Sequence, residues 1–347
     1  MRCGDFRQTY AEDMAIFETG LARGLLLLFV GALALAPAFL GSFWMDVLNR
    51  ICIAVIAATG LNILTGFTGQ ISLGNAAFLS VGAYATALLA GRWGLPFPVV
   101  IPLAGLLTAL VGMVFGVPSL RLKGLYLAVA TLAAHFVIEF TISHWESMTG
   151  GVNGMSVPAA RLGPLELDGD RKLYGLVLAL TVALLLFAKN LFRTKVGKAF
   201  VAIRDQDISA EVMGVNVFRY KLLSFGVSSF YVGVAGALLG YQARIISPEN
   251  FPISVAIDQL GMIIIGGLGS ILGSVFGAVF ITLLPEMLRL ITGALSDTFP
   301  ALTTLLASLK MGVFGLAIVL FLVFEPDGMA ARWHTIRNYW KLYPFSY

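Results

Sequence analysis

Polar and glycine residues crowd one stretch of an otherwise apolar chain: Thr59-Gly60-Leu61-Asn62-Ile63-Leu64-Thr65-Gly66-Phe67-Thr68-Gly69-Gln70-Ile71-Ser72-Leu73-Gly74-Asn75. Backbone without intrahelical partners is too costly to face lipid, so a non-helical stretch at membrane depth must be buried in protein or line a cavity. Freed N–H and C=O groups in a broken helix can bind a small polar solute. Asn62, Thr65, Gly69, Gln70, Ser72 and Asn75 are the residues expected to line such a path. The same spacing also fits an ordinary turn between two spans, and spacing alone does not separate the two.

Four further constellations stand out. Gly150-Gly151-Val152-Asn153-Gly154 collects residues that supply positive φ cheaply. It reads as a tight turn, or as a docking or gating loop. Gly269, Gly273 and Gly277 recur every four residues, which predicts one small face for close helix packing. His135 and Glu139 are four apart on one helix face, and an ionisable residue in a span is a functional candidate. They form either a structural or gating pair, or a proton relay. Residues 198–213 mix apolar and charged positions at helical spacing, Asp207 suits a helix start, and Gly214 stops the pattern. Such a helix lies on the membrane surface or docks a partner.

Other chemistry is missing from the sequence. It has no Gly-x-x-x-x-Gly-Lys-Ser/Thr phosphate loop, no Gly-x-Ser-x-Gly, and three His and two Cys at unrelated spacings. No catalytic residue and no metal site are expected. Cys3 and Cys52 are not expected to pair.

The elements that must position these groups follow from composition. Of 347 residues 58% are hydrophobic and 12% charged, at a mean hydropathy of +0.88. Soluble domains carry about 25% charged residues, so the apolar surplus must face lipid or other helices. Apolar runs near 24–40, 47–64, 72–90, 97–117, 124–143, 173–190, 221–243, 256–268, 271–291 and 302–324 give about ten spans. The architecture expected is an all-α, polytopic helix bundle forming one membrane domain over 1–347, with a broken or re-entrant segment. Ala34-Leu35-Ala36 resembles a signal cleavage site, but Pro37 and the long polar leader favour an uncleaved first helix. Lys and Arg cluster in the links 118–123 and 189–221 and in the tail, which puts these and both termini in the cytoplasm. The formal charge of +4 is thus a topology signal, and no nucleic-acid partner is expected. Segment 1–23 is then a cytoplasmic leader, 144–172 the main outside loop, 191–220 a cytoplasmic link, and 325–347 an aromatic, basic tail along the headgroups.

From about Leu48 to Ala331 the chain resembles the permeases of branched-chain amino-acid ABC transporters, in particular the longer of the two paired subunits. The resemblance rests on Gly60–Asn75, Pro118–Ala130, Thr149–Gly154, Ala202–Gly214 with Tyr220-Lys221, Ile265–Gly277, and Phe324-Glu325-Pro326-Asp327-Gly328. It implies a bacterial inner-membrane importer working by alternating access. A second permease, two cytoplasmic ATPase subunits that bind ATP and Mg, and a periplasmic solute-binding protein would complete it. This chain itself would hold no cofactor and would not be an enzyme. Such permeases dock a short coupling helix into the ATPase, with a motif Glu-Ala-Ala, three residues, then Gly. The aligned stretch is Ile208-Ser209-Ala210, Glu211-Val212-Met213, Gly214. Ala210 and Gly214 match, and Ile208 and Ser209 depart. Arg204, Asp207, Ala210, Glu211 and Gly214 are the coupling residues this implies. Members of the family also handle urea, short amides, aromatic acids or nucleosides. A proton-coupled transporter using His135 and Glu139 and a passive channel are the competing readings.

Overall fold

The structure is a computed structural model describing residues 20–295, except 163, 164 and 168, and residues 312–342, except 314, 317, 322 and 326. Among the described residues, twelve α-helices of six residues or more carry it: α1 (Gly20–Phe39), α2 (Ser42–Thr65), α3 (Asn75–Thr86), α4 (Phe97–Ser119), α5 (Leu125–His144), α6 (Asp170–Leu191), α7 (Lys195–Asp205), α8 (Asp207–Val212), α9 (Val217–Ala243), α10 (Ile253–Gly266), α11 (Ile271–Leu295) and α12 (Gly328–Leu342).

Six of these, α2, α4, α5, α6, α9 and α11, are long and apolar enough to cross a bilayer, and Gly24–Phe39 is a shorter apolar helix. The expected count of ten is therefore not established among the described residues. The polar break shortens α3, which runs on only through a π-helical turn over Ala87–Arg92. Glycines stop α10 after 14 residues. The run 302–324 lies largely outside the described residues, as does most of the leader 1–23.

Long apolar runs make these segments helical, because a backbone in lipid must satisfy its own hydrogen bonds. Their ends are set locally. Asn216 caps α9, its side-chain oxygen accepting from Arg219 N at 3.0 Å. Arg244 ends the same helix in a left-handed conformation, φ 64°.

At the centre, α9 lies against α2, α3 and α4, and α2 lies against α6, α10 and α11. Packing between helices in lipid relies on close approach rather than on expelling water. A methyl group at Gly82 would overlap the Gly233 carbonyl, one at Gly236 the Leu79 carbonyl, and one at Gly277 the Met262 carbonyl.

The chain is not purely helical. In the 144–172 link and the α9–α10 link, β1 (Met155–Ser156) pairs antiparallel with β4 (Ile245–Ile246), and β2 (Ala160–Leu162) with β3 (Leu165–Leu167). The expected single amphipathic helix over 198–213 is two, because extended Gln206 breaks it into α7 and α8.

Candidate functional site

One end of the bundle gathers the polar break, the α4–α5 link, the α7–α8 pair and the α10–α11 turn. The break, residues 66–74, closes on the protein itself. Asn62, 1% exposed, donates from Nδ2 to Ser270 O (2.8 Å) and Ser274 Oγ (2.7 Å), and its Oδ1 accepts from Gly269 N (2.9 Å). It clamps α2 to the start of α11. Thr65 Oγ1 donates to Gln70 O and Thr68 Oγ1 to Ile63 O. Ser72 Oγ accepts from Gly74 N, and Asn75 Nδ2 donates to Gln259 Oε1 of α10. Thr131 Oγ1 of α5 accepts from Leu73 N at 3.0 Å. Polar side chains here do what backbone cannot do outside a helix. Gln70 is the exception: Nε2 donates to Ser224 Oγ at 2.8 Å, while the buried Oε1 has no hydrogen-bond partner among the described residues.

The helix pair meets this break directly. Arg204, at the end of α7, donates from one guanidinium nitrogen to Gly66 O at 3.2 Å and from two to Asp205 Oδ1. A methyl group at Gly69 would come within 3.3 Å of Arg204 Cγ, and one at Gly269 within 2.9 Å of its guanidinium. Both glycines have positive φ, +72° and +73°. Gly269 thus sits in the turn before α11. It does not share the face of Gly273 and Gly277, which lie against the backbone of α10 and the turn after it.

Asp207, at the first position of α8, is held by two lysines from other elements: Lys123 Nζ of the α4–α5 link at 2.6 Å and Lys221 Nζ of α9 at 3.5 Å. The hydrogen bond from Lys123 holds this carboxyl below its ordinary range. Partial burial opposes that, and the Lys221 charge adds to it. Ala210 is buried under α8, and Glu211 lies exposed on its outer side. Gly214 closes the helix at φ +87°, with Val215 N donating back to Ala210 O, a Schellman-type stop. Ile208, Val212 and Met213 project outward, the last two 84% and 86% exposed. Between the break and the helix pair lies a cavity of about 240 Å³, lined among others by Thr68, Gly69, Gln70, Lys123, Arg204 and Asp207.

At the opposite end, Gly150, Gly151 and Gly154 all have positive φ, and Asn153 lies in the 3₁₀ turn between them. A methyl group at Gly150 would overlap the Gly154 carbonyl, and one at Gly154 the Ile246 carbonyl. The loop is therefore locked onto the α9–α10 link. His135 is buried, with Nε2 3.5 Å from Glu139 Oε2.

Partners on other helices escaped the sequence reading. Ser270 and Ser274 answer Asn62 from over 200 positions away, Thr131 of α5 answers Leu73, and Gln259 of α10 is buried against Asn75. The Lys123–Asp207 contact was readable only as two charges in links thought to share one side.

The family described as branched-chain amino acid transport system / permease component matches residues 43–322. The chain is similar to the high-affinity branched-chain amino acid transport system permease protein LivM of Salmonella typhimurium, 33% identical over 268 residues. That match covers 70% of this chain and 63% of the relative, so it spans less than two thirds of that relative's own length. LivM of Escherichia coli is 31% identical over 300 residues, 79% of this chain and 71% of the relative. The autoinducer 2 import system permease protein LsrC of an Enterobacter strain is 27% identical over 286 residues, 79% of each chain. No solved structure matches the chain. With six helices apolar and long enough to cross a bilayer among the described residues, a glycine-closed helix pair between two of them, and a family match running from the start of α2 to residue 322, this multi-pass membrane chain belongs to the branched-chain amino acid transport system permease family.

Proposed function

We propose that this chain is the membrane-spanning permease of an ATP-driven importer for branched-chain or related amino acids in a bacterial inner membrane. Its whole length is one membrane domain, with both termini, the 191–220 link and the 325–347 tail in the cytoplasm and 144–172 outside. A second permease pairs with it, two ATPase subunits bind ATP and Mg beneath it, and a periplasmic binding protein delivers the solute to the 144–172 loop.

The observation that carries this reading is the junction around α7 and α8. Ile208, Val212 and Met213 give α8 an exposed apolar tip suited to a groove on an ATPase. The inner side of the pair touches four separate elements. Arg204 reaches the end of α2 and the α10–α11 turn, and Asp207 holds the α4–α5 link and α9. A push on one short helix therefore reaches helices throughout the bundle. A helix pair bonded to several elements is the kind of physical link that alternating access requires.

The polar groups of the break divide by role. Asn62, Thr65, Ser72 and Asn75 hold its shape, while Gln70, with an open acceptor, and Gly69 border the cavity that serves as the cytoplasmic mouth. The names of LivM support a branched-chain solute, and that of LsrC marks how widely ligand choice varies among similar chains.

The test is coupling. In the intact complex, Val212→Cys should cross-link to the ATPase subunit. Arg204→Ala should keep ATP hydrolysis while solute uptake falls about tenfold, as expected for loss of the charged hydrogen bond that ties the pair to Gly66 O. Full uptake by Arg204→Ala, with no cross-link from Val212→Cys, would refute this role for the pair.

A further inference from the structure

His135 is 1% exposed, and neither ring nitrogen has a hydrogen-bond partner among the described residues. A buried polar group in that state calls for an explanation, the more so inside a membrane, where ionisable groups mark solute paths. Thr131, His135 and Glu139 stand at i, i+4 and i+8, one polar stripe along α5. Thr131 holds the break at one end. Glu139, its side chain 42% exposed, opens the other end toward the 144–172 loop.

His135 and Glu139 line a small, partly open cavity of about 10 Å³, together with Ala77 and Ser80 of α3, Ile142 of α5, and Pro248 and Phe251 of the α9–α10 link. That space fits one water at most. Its roof is tethered. Residues 245–246 pair with 155–156, Val157 N donates to Arg244 O at 2.7 Å, and Gly154 lies directly on Ile246. Any displacement of the 150–157 loop pulls on the segment that carries Pro248 and Phe251.

We infer that the space between α3 and α5 beneath Pro248 and Phe251 is the entry subsite for the charged groups of a small zwitterion. An imidazole N–H of His135 donates to the carboxylate, and Glu139 accepts from the ammonium group. The roof lifts when a protein docks on the 150–157 loop. This explains why neither ring nitrogen is hydrogen-bonded among the described residues, with Glu139 Oε2 only at ion-pair range, 3.5 Å from Nε2: the hydrogen-bond partner arrives with the solute. It also explains why the glycine-rich loop is locked onto this particular segment. The subsite rests on the import function proposed above for its solute class, but not on the source of energy.

The experiment uses the full transporter with its binding protein in proteoliposomes, with Cys3 and Cys52 changed to Ser and Ser80→Cys added. A methanethiosulfonate ethylammonium reagent is applied from the 144–172 side, with leucine as probe. Labelling should be slow at rest and about tenfold faster when the loaded binding protein docks, a change of about 1.4 kcal/mol in opening. Leucine should slow it, and leucinamide, which lacks the carboxylate, should not. In a second arm, His135→Ala should raise the KM for leucine about tenfold through loss of a charged hydrogen bond, and His135→Gln should restore part of it. Labelling indifferent to docking and to leucine, or an unchanged KM in His135→Ala, overturns the subsite while leaving the import function standing. A wild type that hydrolyses ATP but takes up no leucine overturns the leucine reading instead. Protection of Ser80→Cys by any of the twenty amino acids then decides the subsite, and no protection overturns it. A His135→Ala chain that fails to assemble leaves the labelling arm to decide.

Discussion

Removing the Asn62 clamp has a cost that can be worked from its three bonds. Asn62→Ala deletes two donations, to Ser270 O and Ser274 Oγ, and one acceptance, from Gly269 N. Interhelical hydrogen bonds in membranes average about 0.6 kcal/mol each, so the two donations contribute about 1.2 kcal/mol. Leaving the Gly269 N–H without its partner adds about 1–3 kcal/mol. Gly66→Ala attacks the same clamp from the other side, because its methyl group would overlap Asn62 Oδ1 and the Gly269 backbone nitrogen. Much of the damage in Gly66→Ala is therefore loss of the Asn62 bonds. In an Asn62→Ala background that part is already gone, and Gly66→Ala should add at least about 1 kcal/mol less than it costs alone. Unfolding of the four chains by SDS in mixed micelles, followed by tryptophan fluorescence and circular dichroism, measures the cycle. Strict additivity would refute the clamp, because it would mean the two positions destabilise through unrelated contacts.

Other positions give independent tests. Gly277→Ala should lower stability by about 1–3 kcal/mol through overlap with the Met262 carbonyl, whereas Gly175→Ala, with nothing within 4 Å, should stay within about 0.5 kcal/mol of wild type; thermal unfolding in detergent separates them. Gly154→Ala places a side chain at φ +72° against Ile246 O, so amide exchange at Met155 and Ile246 should quicken while that in α9 does not. Asp207 has a depressed pKa, so its contribution to stability is full above the unfolded carboxylate value, about 3.9, and is lost as pH falls through the folded value. Asp207→Asn should therefore unfold more easily than wild type at neutral pH, with the gap closing in acid; a gap independent of pH would remove the ion cluster from the account.

The sequence was most legible where local physics decides the structure. Apolar runs became helices, Asp207 opens a helix, and Gly214 closes one at positive φ. The regular spacing of Gly273 and Gly277 found a real packing face, because α11 is helical there. The same spacing misread Gly269, since periodicity is blind to where a helix begins. The break at 59–75 looked like a path because its polar groups had no visible partners. Those partners, Ser270, Ser274, Gln259 and Thr131, stand on other helices and emerge only once the bundle is assembled. Gln206 carries no strong breaker signal, so the split between α7 and α8 was hidden; the contacts of Arg204 and Asp207 with the bundle accompany it. The β1–β4 pairing joins segments about ninety residues apart, with only two residues from each. Strands that short leave no period to read.

The central claim is that energy enters through α7 and α8 from another chain. It is tested most directly in proteoliposomes holding this permease with its partner subunits, the ATPase side facing the external medium and the binding protein loaded with leucine inside. ATP added outside should export leucine from the lumen to the ATPase side against its gradient. A protonophore should leave this movement unchanged, and an ATPase subunit unable to hydrolyse ATP should abolish it. Leucine movement that needs a proton gradient, or that proceeds without ATP, would contradict the account.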